Sequence, residues 1–251
     1  MGQVIYNGVS TKQLNLEVQT FPELAIPEKE YIATHVPGRS GDVLIETGSY
    51  MNVDRTYKFG LDGTTHGFYN VAQKMIKWLY SSSGYARLED SYEPEYFRMA
   101  VYKEAEKNIP NILAQIGSVD ITFNCKPQKY LKRGHMRKYF DGVGTLVNPT
   151  PFESLPVIQF VCPTVPRELV LSNDRGEVFK ITVLEAVEHL IIINSEVQEV
   201  MGLTDTGLVN LNGSVSFSSW DSFPTLSPGT TTFTPSGGVS QLSVTPRWWT
   251  L

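Results

Sequence analysis

Residues 51–59 limit what this chain can fold into more than any other stretch. Met51, Val53, Tyr57 and Phe59 fall on one side of an extended segment, with Asn52, Asp54, Thr56 and Lys58 on the other, the period of a half-buried strand. Only Arg55 breaks the alternation. The wider stretch, 31–59, reads as two strands joined across a turn. Pro37 there fixes one φ and removes a donor, while Gly38 and Gly41 can take positive φ without steric cost. Strands this long exceed what a hairpin covering its own core needs, so either a large sheet or a neighbouring copy shelters them. We favour the copy. Pro37, Gly38, Arg39, Gly41, Met51, Val53 and Tyr57 are then the candidate interface residues, with Arg39 reaching an acidic or carbonyl acceptor next door. The alternative is that the same glycines shape a hairpin within one subunit.

The chain has 251 residues, 41% hydrophobic and 19% charged, a composition that fits a globular protein and excludes a disordered or fibrous one. Its longest apolar run, 190–193, is strand-sized, so no membrane span is expected. The first residues carry neither a basic nor an apolar signal region, and Tyr6 stands where a myristoylation pattern needs Ser or Thr. Synthesis in a host cytoplasm is the expectation. Formal charge divides unevenly, +2 over residues 1–138 and −7 over 139–251, which points to two domains with different surfaces.

From the start, an Asn7-Gly8 turn follows a short strand, and residues 14–18 alternate again. Phe68, Val71, Ala72, Met75, Ile76 and Leu79 fall at helical spacing, predicting a helix that lies on a sheet, with Thr65 as N-cap and Gly84 near its end. Strands are expected over 85–88, 97–102 and 119–125, the last stopped by Pro127. Residues 128–138 hold five basic residues and no acid, and read as a solvated linker. Beyond it, short strands over 157–161, 168–171, 178–183, 190–194, 208–211, 215–217 and 241–245 alternate with turn residues and no helical period, the pattern of a β-sandwich.

Chemistry is hard to find. His35, His66, His135 and His189 share no spacing, and HExxH, GxSxG, GxGxxG and phosphate-loop motifs are missing. No metal, cofactor or catalytic residue is therefore expected, and the chain reads as no enzyme. Cys125 and Cys162 lie far apart in no ligand motif, the pattern of free buried thiols. The acidic run Glu89, Asp90, Glu93 and Glu95 reads as a solvated loop. Basic residues over 129–138 could touch phosphate, but a sequence pI near 5.4 argues against nucleic-acid specificity. Trp220, Trp248 and Trp249 are candidates for stacking on sugar rings, with packing as the plainer use.

Motifs across nearly the whole chain resemble those of the distal tail proteins of long-tailed bacteriophages, especially phages of Gram-positive hosts. They are VPGRSGDVLIETGSYMNVDRTYKF, WLYSSSGYARL, FNCKP, NPTPFESLPVI, SFPTLSPGTTTF and TPRWWTL, in that order. The resemblance implies a mainly β protein. An N-terminal β-sandwich or split-barrel domain (1–135) would carry one helix and an extended belt hairpin. A linker (136–148) would lead to an outward-facing C-terminal galectin-like or carbohydrate-module-like β-sandwich (149–251). It implies a virion structural protein that forms a homo-hexameric ring, single or stacked in two. Its partners would be the tail tube protein, the tail-associated protein and baseplate or receptor-binding proteins. The alternatives kept are a virion carbohydrate-binding module and the tail tube protein itself.

Overall fold

The computed structural model describes residues 2–20, 22–104, 108–110, 116–163, 165, 167–218 and 222–251. The chain divides into two compact units, Met1–Lys129 with Leu251, and Tyr130–Thr250. Trp220 lies outside the described residues.

The first unit begins with β1 (Val4–Tyr6) and β2 (Val9–Ser10), joined by Asn7 and Gly8 at φ +49° and +78°. That is the two-residue turn whose twist matches a hairpin. After a 3-10 turn come β3 (Leu16–Val18), β4 (Lys29–Thr34), β5 (Val43–Tyr50) and β6 (Val53–Asp62). Helix α1 (Phe68–Leu79) precedes β7 (Ala86–Asp90), β8 (Tyr96–Tyr102) and β9 (Ile116–Leu131). The main sheet runs β2-β1-β7-β8-β9-β6-β3, while β4 and β5 pair only with each other. The 31–59 stretch is thus three strands. Its glycine turn joins β4 to β5, and the alternating residues begin β6, which pairs with β9 from Val53 opposite Cys125 to Asp62 opposite Ile116.

Arg55 keeps the period after all, since it is buried beside Tyr57 and Phe59 on the inward face of β6. Helix α1 buries Phe68, Val71, Ala72, Met75, Trp78 and Leu79, leaving Ile76 in solvent. Trp78 completes the stripe because its indole N–H donates to the Tyr6 and Val9 carbonyls at 3.1 and 3.2 Å. Around it Tyr6, Phe59 and Phe123 pack edge-on or tilted. The helix starts after Gly67 at φ +78° with no side-chain cap, so Thr65 does not serve, and it ends at Tyr80 rather than near Gly84. Strand β9 passes straight through Pro127, which lies beyond the last β6 pair, where no β6 ladder bond is lost.

The second unit is a β-sandwich. Its strands are β10 (Lys138–Phe140), β11 (Gly144–Asn148), β12 (Val157–Cys162), β13 (Arg167–Asn173), β14 (Val178–Val183) and β15 (Val187–Asn194). There follow β16 (Glu199–Thr204), β17 (Gly207–Asn210), β18 (Val215–Phe217), β19 (Gly229–Pro235) and β20 (Ser240–Thr245), while β21 (Trp249–Thr250) lies in neither sandwich sheet and pairs with β9. One sheet runs β10-β20-β12-β15-β16-β17 and the other β11-β19-β13-β14-β18. Ile158, Phe160, Ile191, Ile193 and Val244 of the first sheet, and Leu169, Leu171, Ile181, Val183 and Phe233 of the second, are buried, as alternation on facing sheets requires. The residues expected as linker belong instead to β9, a 3-10 turn (Lys132–His135), β10 and β11.

Candidate assembly interface

The β4–β5 hairpin has the surface of a contact element without its contact. Ile32 faces Ile45 and Ala33 faces Leu44 across the ladder. Partners directly opposite share a face and successive residues alternate, so the hairpin is apolar on both sides. Ile32, Ile45 and Leu44 are 55%, 53% and 61% exposed, and Leu24, Ile26, Tyr31, Val36 and Met51 beside them are exposed too. A two-stranded ribbon is marginal alone in water, and an exposed apolar patch of this kind marks an interaction surface.

The turn is built by backbone chemistry. Arg39 N–H donates to the Val36 carbonyl at 3.1 Å, with Gly38 at φ +82°, the type II pattern that places Pro37 second and glycine third. Gly41, at φ +81°, bends the chain back into β5. His35 Nδ1 and Asp42 lie 3.3 Å apart across the loop, and Lys29 pairs with Glu46 at 3.4 Å. At the other end, Met51 N–H donates to the Glu28 carbonyl at 2.8 Å, and Asn52 donates to Asn124 at 2.7 Å, tying the arm to β9.

Of the sequence candidates, Pro37, Gly38, Arg39, Gly41 and Met51 therefore lie on this exposed arm and Val53 is half-buried at its base. Tyr57 does not join them, for it is wholly buried. Its hydroxyl donates to Asp90 at 2.6 Å and accepts from Arg55 Nε at 2.8 Å. Arg55 reaches Asp90 at 2.9 Å and Glu93 at 3.1 Å, and Glu93 also meets Arg98 at 2.7 Å and Lys129 at 3.3 Å. Asp90 accepts the Tyr92 and Glu93 amides as well, at 3.0 and 2.9 Å.

The expected solvated acidic loop is thus half a buried ion network. Burial acts to raise the Asp90 pKa, but the Tyr57 hydroxyl and Arg55 outweigh it and hold the carboxyl below its ordinary value. Burial opposes ionisation of Glu93 too, and Arg98, Arg55 and Lys129 overcome it. Burial, against the pull of Arg98 and Arg55 and with smaller help from Asp54 and Asp90, pushes the Cys125 thiol up to about 12.

Trp248 is buried, and Trp249 stacks on Phe152 at 4.3 Å while its indole N–H donates to the Glu153 carbonyl at 2.8 Å. The Trp248 ring is thus buried, and the half-buried Trp249 ring has one face covered by Phe152. Among the described residues no group of three His, Cys, Asp or Glu side chains could hold a metal ion, and no helix is long and apolar enough to cross a membrane.

A mainly β chain in two units, with an arm hairpin leaving the first and a sandwich forming the second, has a fold found in solved proteins of phage adsorption apparatus and baseplate. Over 97% of its length it matches the Dit protein (gp 19.1) of phage SPP1, a hub of the adsorption apparatus in phages infecting Gram-positive hosts, with TM-score 0.69, 15% identity and 96% of that chain covered. It also matches a chain of the phage P2 baseplate in its activated conformation, with calcium (TM-score 0.58) and with strontium (0.57), at 12% identity and 97% coverage of both chains. No family model matches the chain, and no curated protein matches it in sequence. At such identities the likeness is one of fold.

Proposed function

We propose that this chain is a non-enzymatic structural hub of a phage tail tip or baseplate. Its first unit forms a homo-hexameric ring, and its C-terminal sandwich faces outward. The ring joins the tail tube to the tail-associated protein and to baseplate or receptor-binding components. The observation that carries the reading is the β4–β5 arm, apolar on both faces and, among the described residues, paired with no other strand, on the fold that SPP1 Dit also has. A head-to-tail ring needs two different patches per subunit, and an arm reaching a neighbour supplies one. Pro37, Gly38, Arg39, Gly41, Met51 and Val53 shape or line that arm. Packing of Trp248 and Trp249 weighs against the sugar-binding reading. Light scattering on the purified chain tests the ring. Six copies of a 28.1 kDa chain come to about 169 kDa, or twice that for stacked rings. A mass that stays at one copy across concentration and salt overturns the proposal.

A further inference from the structure

The ring reading leaves open what receives the arm, and the inference drawn now rests on that reading. On the solvent side of α1, Tyr69, Ile76 and Tyr80 are exposed, Tyr69 at 74%. Their spacing of seven and then four residues sets them in one line along the helix and its C-cap, so the exposed flank of α1, beside the core stripe, is apolar, while Asn70, Gln73 and Lys77 take the face opposite the core. Gln73 and Lys77 flank that line, and Lys74 lies further round. The helix carries Lys74 and Lys77 and no acid. The described arm, residues 22–52, carries Glu23, Glu28, Glu30, Asp42 and Glu46 against Lys29 and Arg39, a net charge of −3. Lengths agree as well: eleven residues of helix span about 16 Å, and the six residues of β4 about 20 Å.

We infer that the acceptor of the arm is the exposed flank of α1 on the next copy of this chain. The Ile32–Ile45 face lies along Tyr69, Ile76 and Tyr80, and the acidic flank of the arm meets Lys77 at the edge of that line, in the positive field to which Lys74 further round also contributes. The two surfaces are different patches of one subunit, as a closing head-to-tail contact requires. Opposite net charges favour arm on helix over arm on arm, where both partners would be acidic.

Charge exchange tests this without touching the core. One variant carries Glu28→Lys and Glu30→Lys, the other Lys74→Glu and Lys77→Glu. Each alone is expected to keep the wild-type circular dichroism and lose the assembled mass by light scattering. In the first variant a basic arm would meet a basic helix, and in the second an acidic arm an acidic helix. Mixed at equal amounts they are expected to regain the ring mass, with the two variants alternating. If wild type forms rings and the helix variant does too, or if the mixture stays monomeric, the helix is not the acceptor and the ring reading stands. If wild type itself never assembles, both fall.

Discussion

Replacing Asp90 with asparagine gives the most exacting test of the first unit. Asp90 and Arg55 are 3% and 6% exposed at their side chains, so the substitution leaves a guanidinium in the core with only Glu93 to answer its charge. Removing one partner of a buried pair costs about 3–5 kcal/mol, far more than a surface pair is worth. Part of that is the orphaned Tyr57 hydroxyl, since a buried donor left unsatisfied costs about 1–3 kcal/mol. Against a domain stability of roughly 5–15 kcal/mol this is a large share. Urea unfolding at neutral pH, followed by circular dichroism, should show the transition of the first unit move to lower denaturant while that of the sandwich stays. Acid gives the second readout. Asp90 and Glu93 both titrate below their ordinary values when folded. Their contribution is therefore fully present above the unfolded carboxylate pKa of about 4 and is lost as pH falls through the lower folded values. Wild type should lose stability in that acid window, and Asp90→Asn should lose less because one of the two groups is gone. A neutral-pH loss below about 1 kcal/mol would mean that Arg55 is adequately held by Glu93 and solvent, and the network argument would fail.

Two further outcomes follow from the same geometry. Gly38→Val with Gly41→Val places β-branched residues at φ +82° and +81°, where the added Cβ meets no atom within 4 Å but the backbone is strained, by roughly 1–2 kcal/mol per residue. The turn should deform and the ring mass disappear from light scattering while urea unfolding of the main sheet is unchanged, and intact rings would remove the turn from the assembly contact. Cys125 and Cys162, both buried, should resist alkylation in the folded protein and react on denaturation. Modification of Cys125 at the unfolded rate under native conditions would contradict the burial that lifts its pKa to about 12.

What was legible in the residues is what depends on neighbours in sequence. Asn7-Gly8 and Pro37-Gly38 set their turns by their own dihedral preferences, and the helical stripe from Phe68 to Leu79 needs only its period. Three departures, at Arg55, Lys129 and Pro127, share one cause, a partner distant in sequence. Arg55 looked like a fault in an apolar face because its counter-ion lies thirty-five residues on, in a run that reads as solvated until Arg98, Lys129 and Arg55 converge on it. Lys129 in turn looked like linker because Glu93 was out of view. Pro127 looked like a stop because its position beyond the last β6 pair follows from a register that no local rule provides.

The arm is a different case, because among the described residues its strands pair only with each other. Ile32 and Ile45 on one face, Ala33 and Leu44 on the other, form a ribbon that a self-sufficient fold would bury or make polar. Its base is fixed by Met51 to Glu28 and Asn52 to Asn124, so the ribbon continues directly into β6, the strand that carries Tyr57 and Phe59 into the core. On the proposed reading, a base held by these two hydrogen bonds leaves less order to be imposed when a neighbour is met. That makes the buried network at Arg55 and the exposed arm two consequences of one segment, 43–62: its first half leaves its apolar residues in solvent, and its second half supplies the anchorage from which the first projects.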